Sequence, residues 1–296
     1  MVILIDENTR VLVQRITGRT GEFATRYMLE YGTKVVAGVT PGRGGSRVWG
    51  VPVFDSVKEA LEEVGRVDAT ITLVPPAHLL EAVTEAVEAG ISYVLIPTER
   101  VPVHDAMRIL ALARGRGVRV QGPGSFGVIS PSKAVMGWVG GSLELAKEAF
   151  VPGKVGVISR SGGQTTTTSW AISRAGFGIT TAVHTGSEPL VGLTEAELLA
   201  MFEEDEETDA VVLFAEIGGV QEEEAAEFVS NGGFTKPLVA YVAGRMLPKG
   251  MRFSHASAMV VGDRGSAESK IRAFKEAGVK LAESPKHIIE LLRDVL

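Results

Sequence analysis

The chain has 296 residues, no cysteine, 45% hydrophobic residues and a formal net charge of −6. Without thiols there are no disulfides, thiolate metal sites or cysteine nucleophiles, and no metal site of another kind is expected. No apolar run approaches the roughly 18 residues of a membrane span, no leader peptide is visible, and the acidic balance argues against a nucleic-acid surface. The expected setting is the cytoplasm, and the length suits one or two domains with sizeable cores.

The first half alternates apolar runs with amphipathic stretches. Strands are predicted at 11–14, 34–39, 69–74 and 93–96, and helices at 22–31, 57–63, 77–88 and 104–114. Gly32 and Gly90 stand where helices end, because glycine takes the left-handed conformation that closes a helix. Such alternation predicts a parallel, doubly wound sheet. The pattern breaks around Gly122-Pro-Gly-Ser-Phe-Gly127 and Ser130-Pro-Ser, and a domain boundary is expected between residues 125 and 126.

The second half repeats the alternation. Strands are predicted at 155–159, 178–184, 209–215 and 238–243, and helices at 164–174, 194–203, 221–229, 266–277 and 285–295. Ser266 and Ser284 are N-cap candidates, since a serine oxygen accepts a free amide of the first turn. The acidic run Glu203-Glu-Asp-Glu-Glu207 reads as a solvated loop after a helix.

Three loops at strand ends carry candidate chemistry. Arg15-Ile-Thr-Gly-Arg-Thr-Gly21 joins the first strand to the first helix, where glycines let backbone amides close on a phosphate. After the second strand comes Thr40-Pro-Gly-Arg-Gly-Gly45. A site for NAD would want an acid there for the ribose hydroxyls, whereas Arg43 suits a ribose phosphate, as in NADP or coenzyme A. In the second half, Val155 to Ser159 runs into Arg160-Ser-Gly-Gly163, small residues opening a helix at its positive end. The loop after the strand at 238–243 holds Lys249, Arg252 and His255, with only small residues flanking the imidazole.

These residues together resemble the alpha subunit of succinyl-CoA synthetase (succinate–CoA ligase, nucleoside-diphosphate-forming). The resemblance runs through Ile3 to Val11, Ile16-Thr-Gly18, Tyr31 to Gly45, Gly50-Val-Pro-Val-Phe54, Thr98-Glu99, Gly122-Pro123, Gly153 to Gly162, Glu216-Ile-Gly-Gly219, Thr235-Lys-Pro237, Pro248-Lys-Gly250 and His255-Ala256. It implies an α/β fold, with an N-terminal Rossmann-like CoA-binding domain at 1–125 and a flavodoxin-like ligase domain at 126–296. It also implies a chemistry. His255 would take phosphate from ATP or GTP, held with Mg on a separate beta subunit, and pass it to a small carboxylic acid. Coenzyme A would then displace phosphate from the acyl phosphate. On that likeness Thr17, Gly18, Arg19, Thr20, Arg43, Pro97, Thr98 and Glu99 would hold CoA. Ser159, Ser161, Gly162 and Gly163 would cradle phosphate, Glu216 would orient His255, and Thr166 would meet the acid.

The departures cluster around the acid and phosphate. Arg15 stands where the family has glycine, and Arg43 where it has lysine. Gly124 replaces an asparagine, Thr166 and Thr167 replace tyrosine and glutamate, and His184-Thr-Gly-Ser-Glu188 replaces a Gly-Ile-Gly-Gly-Asp run. Ser254 and Ser257 flank the histidine in place of glycines. The expectation is a ligase subunit for a carboxylate other than succinate. Two other readings stand beside it. One is a CoA-binding paralogue without catalysis. The other is an NADP oxidoreductase, which leaves the second half unexplained.

Overall fold

The computed structural model describes residues 3–245 and 264–296. The first unit contains β1 (Arg10–Gln14), α1 (Arg19–Tyr31), β2 (Lys34–Val39), β3 (Arg47–Val48), β4 (Val51–Phe54), α2 (Val57–Val64), β5 (Ala69–Thr72), α3 (Pro76–Glu88), β6 (Tyr93–Leu95), α4 (Val103–Gly115) and β7 (Arg119–Gln121). Its seven strands lie in the order β3-β4-β2-β1-β5-β6-β7. All neighbours are parallel except β3 and β4. The chain leaves β1 towards β2 on one side and returns to β5 on the other. Such a reversal opens a crevice at the strands' carboxyl ends.

The second unit contains β8 (Gly127–Ser130), β9 (Ala134–Gly137), α5 (Leu143–Ala149), β10 (Pro152–Ser159), α6 (Gly162–Arg174), β11 (Ile179–His184), α7 (Glu195–Glu203), β12 (Ala210–Ala215), α8 (Gln221–Ser230), β13 (Leu238–Val242), α9 (Ala267–Glu276), β14 (Lys280–Ala282) and α10 (Pro285–Arg293). The order is β14-β13-β12-β10-β11-β8-β9, with the reversal at β10. Register places Ser159, the last residue of β10, level with His184 of β11 and Phe214 of β12. Residues just beyond these three therefore converge on one crevice. The β8–β9 hairpin extends the sheet antiparallel to β11.

Two parallel-dominated α/β sheets are thus present, as the alternation predicts. The strands through β7 belong to one sheet and those from β8 onward to the other. A continuous apolar core nevertheless joins them, running from Val11 and Val13 of β1 through Met136 of β9 to Val157 and Leu213. The Thr33 hydroxyl donates to the Val135 carbonyl at 2.7 Å and accepts from the Val135 amide at 3.0 Å. Buried Gln121 ties β7 to the second sheet by donating to the His184 carbonyl at 2.7 Å.

The acidic run after α7 is not a uniformly solvated loop. Asp205 is buried and accepts from the Thr208 hydroxyl at 2.7 Å, and Glu203 accepts from the amide and hydroxyl of Thr235. Thr208, three residues on, and Thr235, in the loop before β13, supply these acids with donors. Ser266 and Ser284 cap α9 and α10 as expected. Among the described residues no helix is long and apolar enough to cross a membrane.

Candidate functional site

The first crevice sits where β1, β2 and β5 end. Arg15 adopts φ +61°, so the position that the family gives to glycine keeps a glycine-like backbone even with an arginine side chain. The turn then enters α1 with Gly18 as N-cap and no side-chain cap, leaving its first amides for a ligand. Gly21 lets the helix press onto the turn after β1, since a Cβ there would stand 2.3 Å from the Arg15 carbonyl oxygen. Thr17 donates through its hydroxyl to Thr40 at 3.2 Å, locking the two loops together. Asp55 accepts from the amides of Arg43 and Gly44 at 2.9 and 2.8 Å, which holds the glycine loop in shape. Thr98 donates to the Val74 carbonyl at 2.8 Å and so anchors the Pro97–Glu99 turn to the loop after β5. Arg19, Thr20, Arg43 and Glu99 are exposed.

A cavity of about 390 Å³ opens between these loops, walled by Arg15, Thr40 and Pro41 on one side and by Val74, Pro75 and His78 on the other. The sequence-chosen residues Thr17 to Thr20, Arg43 and Pro97 to Glu99 are not among its walls; they sit on the loops that frame it. Sequence reasoning missed Asp55, which directly follows the quoted Gly50–Phe54 stretch. It also missed Gln14, which lines the cavity. Gln14 donates to the Ala82 carbonyl at 2.8 Å, while its buried Oε1 has no hydrogen-bond partner. A buried acceptor left open costs about 1–3 kcal/mol unless something donates to it. An apolar slot with one unmet acceptor and nearby arginines fits a nucleotide-like ligand whose base carries an amino group and whose phosphates lie towards α1.

The second crevice is built differently. Ser161 is the N-cap of α6 and makes no side-chain cap bond. Ser159 and Ser161 form a closed turn: the Ser159 hydroxyl donates to the Ser161 carbonyl at 3.0 Å and accepts from its amide at 3.1 Å. Ser159 is therefore fully buried and shapes the turn from within. Gly163 is exposed, and a Cβ there would meet nothing within 4 Å. Thr166 is half-buried in the next turn. Glu216 follows β12 and is half-buried, with its backbone amide donating to Glu222 at 3.2 Å. His255 lies outside the described residues, so its distance to Glu216 and to α6 is not part of the geometry.

Beneath this helix start lies a buried ionic cluster that the sequence reading did not find. Glu222 is fully buried between Arg160, whose Nη1 is 3.3 Å away, and Lys270, whose Nζ makes a very short contact. Lys270 also donates to the carbonyls of Glu216 and Gly218 at 2.8 and 2.7 Å, and Arg160 donates to the Gly218 carbonyl at 2.5 Å. Burial pushes the Glu222 carboxyl up, but Arg160 and Lys270 outweigh that and hold it below the ordinary range. Burial pulls the Arg160 guanidinium down, and Glu222 with Glu195 more than offsets it. Glu195 is the opposite case. It is fully buried, neither carboxyl oxygen has a hydrogen-bond partner, and burial followed by repulsion from Glu222 lifts it well above the ordinary range.

His184 closes the crevice on the β11 side. Its Nδ1 accepts from the Phe126 amide at 2.9 Å, which leaves Nε2 to donate to the Arg160 carbonyl at 3.0 Å. Glu188 accepts from the Arg100 amide at 2.7 Å, linking this side to the Pro97–Glu99 turn.

Residues 6–100 match the model of a CoA binding domain, and residues 152–293 match that of a succinyl-CoA ligase like flavodoxin domain. A succinate–CoA ligase [ADP-forming] subunit alpha from Archaeoglobus fulgidus is 44% identical over 296 residues, the whole of both chains. The chain belongs to the succinate–CoA ligase alpha-subunit family. Within the family it is also 41% identical to an ADP-forming sulfoacetate-CoA ligase subunit from Acholeplasma sp, over all of this chain and 98% of that one. Among solved structures, the ATP citrate lyase of Methanosaeta concilii superposes with a TM-score of 0.90 at 25% identity, covering 99% of this chain and 50% of that one. The family's CoA-binding model spans β1, α1, β2 and β5, the elements that frame the first crevice.

Proposed function

We propose that this protein is the alpha subunit of a nucleotide-dependent acid–CoA ligase. Coenzyme A binds at the α1 start, with its phosphates towards Arg19 and Arg43 and its base in the cavity that Gln14 borders. A beta subunit holds ATP or GTP with Mg and transfers the terminal phosphoryl group to a nitrogen of His255. The phosphoryl group then moves to a carboxylate oxygen of the acid, and the CoA thiol attacks the acyl carbon and expels phosphate. The backbone amides opening α6 offer partial positive charge to the phosphoryl oxygens throughout, and Glu216 orients the imidazole. The working compartment is the cytoplasm, and the acid is a carboxylate other than succinate.

The observation that carries this reading is the pairing of two uncapped helix starts, each at the reversal point of its own sheet, one framed by arginines and one seated on buried ions. The test is phosphate labelling of the co-purified complex. Nucleotide should leave an acid-labile, base-stable phosphate on this chain. His255→Asn should abolish the label with CoA affinity retained, and Glu216→Gln should slow labelling without ending it, because an amide still accepts a hydrogen bond. A wild-type complex that binds CoA and never labels would favour a CoA-binding paralogue without catalysis, with Ser254 and Ser257 as the first residues to revert.

A further inference from the structure

Three aromatic rings connect the two crevices. Phe23 in the second turn of α1 lies 6.3 Å from Trp138, Trp138 lies 6.0 Å from Phe126, and Phe126 lies 5.3 Å from the His184 ring, all between centroids. Phe126 is 39% exposed. The Phe126 backbone that carries this ring is held on both sides. Its amide donates to His184 Nδ1 at 2.9 Å and its carbonyl accepts from the Trp138 amide at 3.0 Å. Its ring lies on Gly162, where a Cβ would stand 2.2 Å from the ring. The first residue of α6 is thus roofed by an aromatic surface, while its neighbour Gly163 is open.

We propose that Phe126, backed by His184, is the wall that sets the size and polarity of the acyl group at the α6 start. The inference rests on the reading of that start as the place where carboxylate and phosphate meet. A carboxylate drawn to the free amides of Gly162 and Gly163 places its carbon body against Phe126. The face of an aromatic ring carries partial negative charge, so an extended second carboxylate gains nothing there. Arg160, the residue before the α6 N-cap, is buried and donates through Nη1 to Gly218 and Glu222. The His184 ring is committed at both nitrogens. This wall selects a short monocarboxylate of the acetate or propionate type over a dicarboxylate of succinate length. Sequence position alone suggests the same region, since Phe126 sits in the Gly122–Gly127 stretch that departs from the family pattern.

The experiment measures kcat/KM of the complete complex for acetate, propionate and succinate, in wild type, Phe126→Ala and Phe126→Leu, with CoA affinity measured alongside by calorimetry. Wild type should favour the monocarboxylates. Phe126→Ala should raise the succinate-to-propionate ratio by about tenfold or more, the scale expected for reshaping an apolar pocket, and Phe126→Leu should fall between. CoA affinity should be unchanged in both. An unchanged acid ratio in both variants, or a wild-type optimum for succinate, would overturn the wall while leaving the ligase reading intact. A wild-type complex that forms no thioester with any acid would overturn both, and is told apart by the wild type alone.

Discussion

The starts of α1 and α6 are alike in sequence, each a strand running into small residues, and unlike in what lies behind them. Around α1 the support is a set of surface loops held by threonine hydroxyls and by Asp55, with Arg19 and Arg43 exposed. Behind α6 stand Arg160, Glu222 and Lys270, all buried. Exposed guanidiniums stay hydrated and can follow a long, flexible polyanion at little cost. Buried ions have already lost their water in the folded state, so their geometry is fixed before any ligand arrives. The first arrangement suits capture of a large phosphorylated molecule, and the second suits holding a small group still while bonds change.

If that contrast is right, the two regions should fail differently. The largest effect is expected at Lys270. Lys270→Met leaves Glu222 with one cation and takes the donor from the Glu216 carbonyl, and removing one partner of a buried pair typically costs about 3–5 kcal/mol. Denaturant unfolding should show that loss, and a drop below about 1 kcal/mol would make the cluster incidental. At the other start, Arg43→Ala should weaken CoA binding by about 1.5–3 kcal/mol, the worth of a charge-assisted bond. Calorimetry at two salt concentrations should find a shallower salt dependence, with stability changed by no more than about 0.5 kcal/mol. An unchanged affinity would place the ligand's phosphates elsewhere.

The smallest effect is a pH dependence at Glu195. Burial and the neighbouring Glu222 raise its carboxyl in the fold, so its folded value lies above an unfolded value near 4.3. Between the two the native state binds more protons, and stability falls as pH rises. The contribution is full below about pH 4.3 and is lost through the window above it. Glu195→Gln removes that slope, so the variant should gain on wild type as pH rises above about 4.3. Equal slopes for the two proteins in urea titrations would contradict the assignment.

Much of the fold was legible because the apolar runs and glycine stops are local signals. Strands such as 34–39 and the Ser266 and Ser284 caps are written in contiguous residues. Short elements such as β3, β4 and α5 were not read, and others left weaker traces. β7 and β14 are three residues each, and the β8–β9 hairpin is bounded by Gly127 and Gly137, which interrupt its alternation. The two helix starts were legible where a loop motif carries them, as at Gly18 and Gly162. The ion cluster was not, since Glu222 and Lys270 are 48 residues apart and meet only because α8 packs beside α9. Glu195 reads as an ordinary first-turn acid beside the Thr194–Glu197 capping box. Nothing local distinguishes a buried acid at that position from a solvated one.

The division of labour between the two helix starts is tested most directly by placing one carboxylate at each. Gly18 has an extended backbone, φ −78° and ψ 157°, that accepts aspartate as an N-cap, and Gly163 has open space for a side chain. Gly18→Asp should keep the fold and reduce CoA affinity by about a hundredfold or more, as like charges brought together cost several kcal/mol, while nucleotide-dependent phosphate labelling of the complex persists. Gly163→Asp should do the reverse, leaving CoA affinity intact and suppressing the label. Both variants losing the same activity, or each losing the other's, would contradict the account.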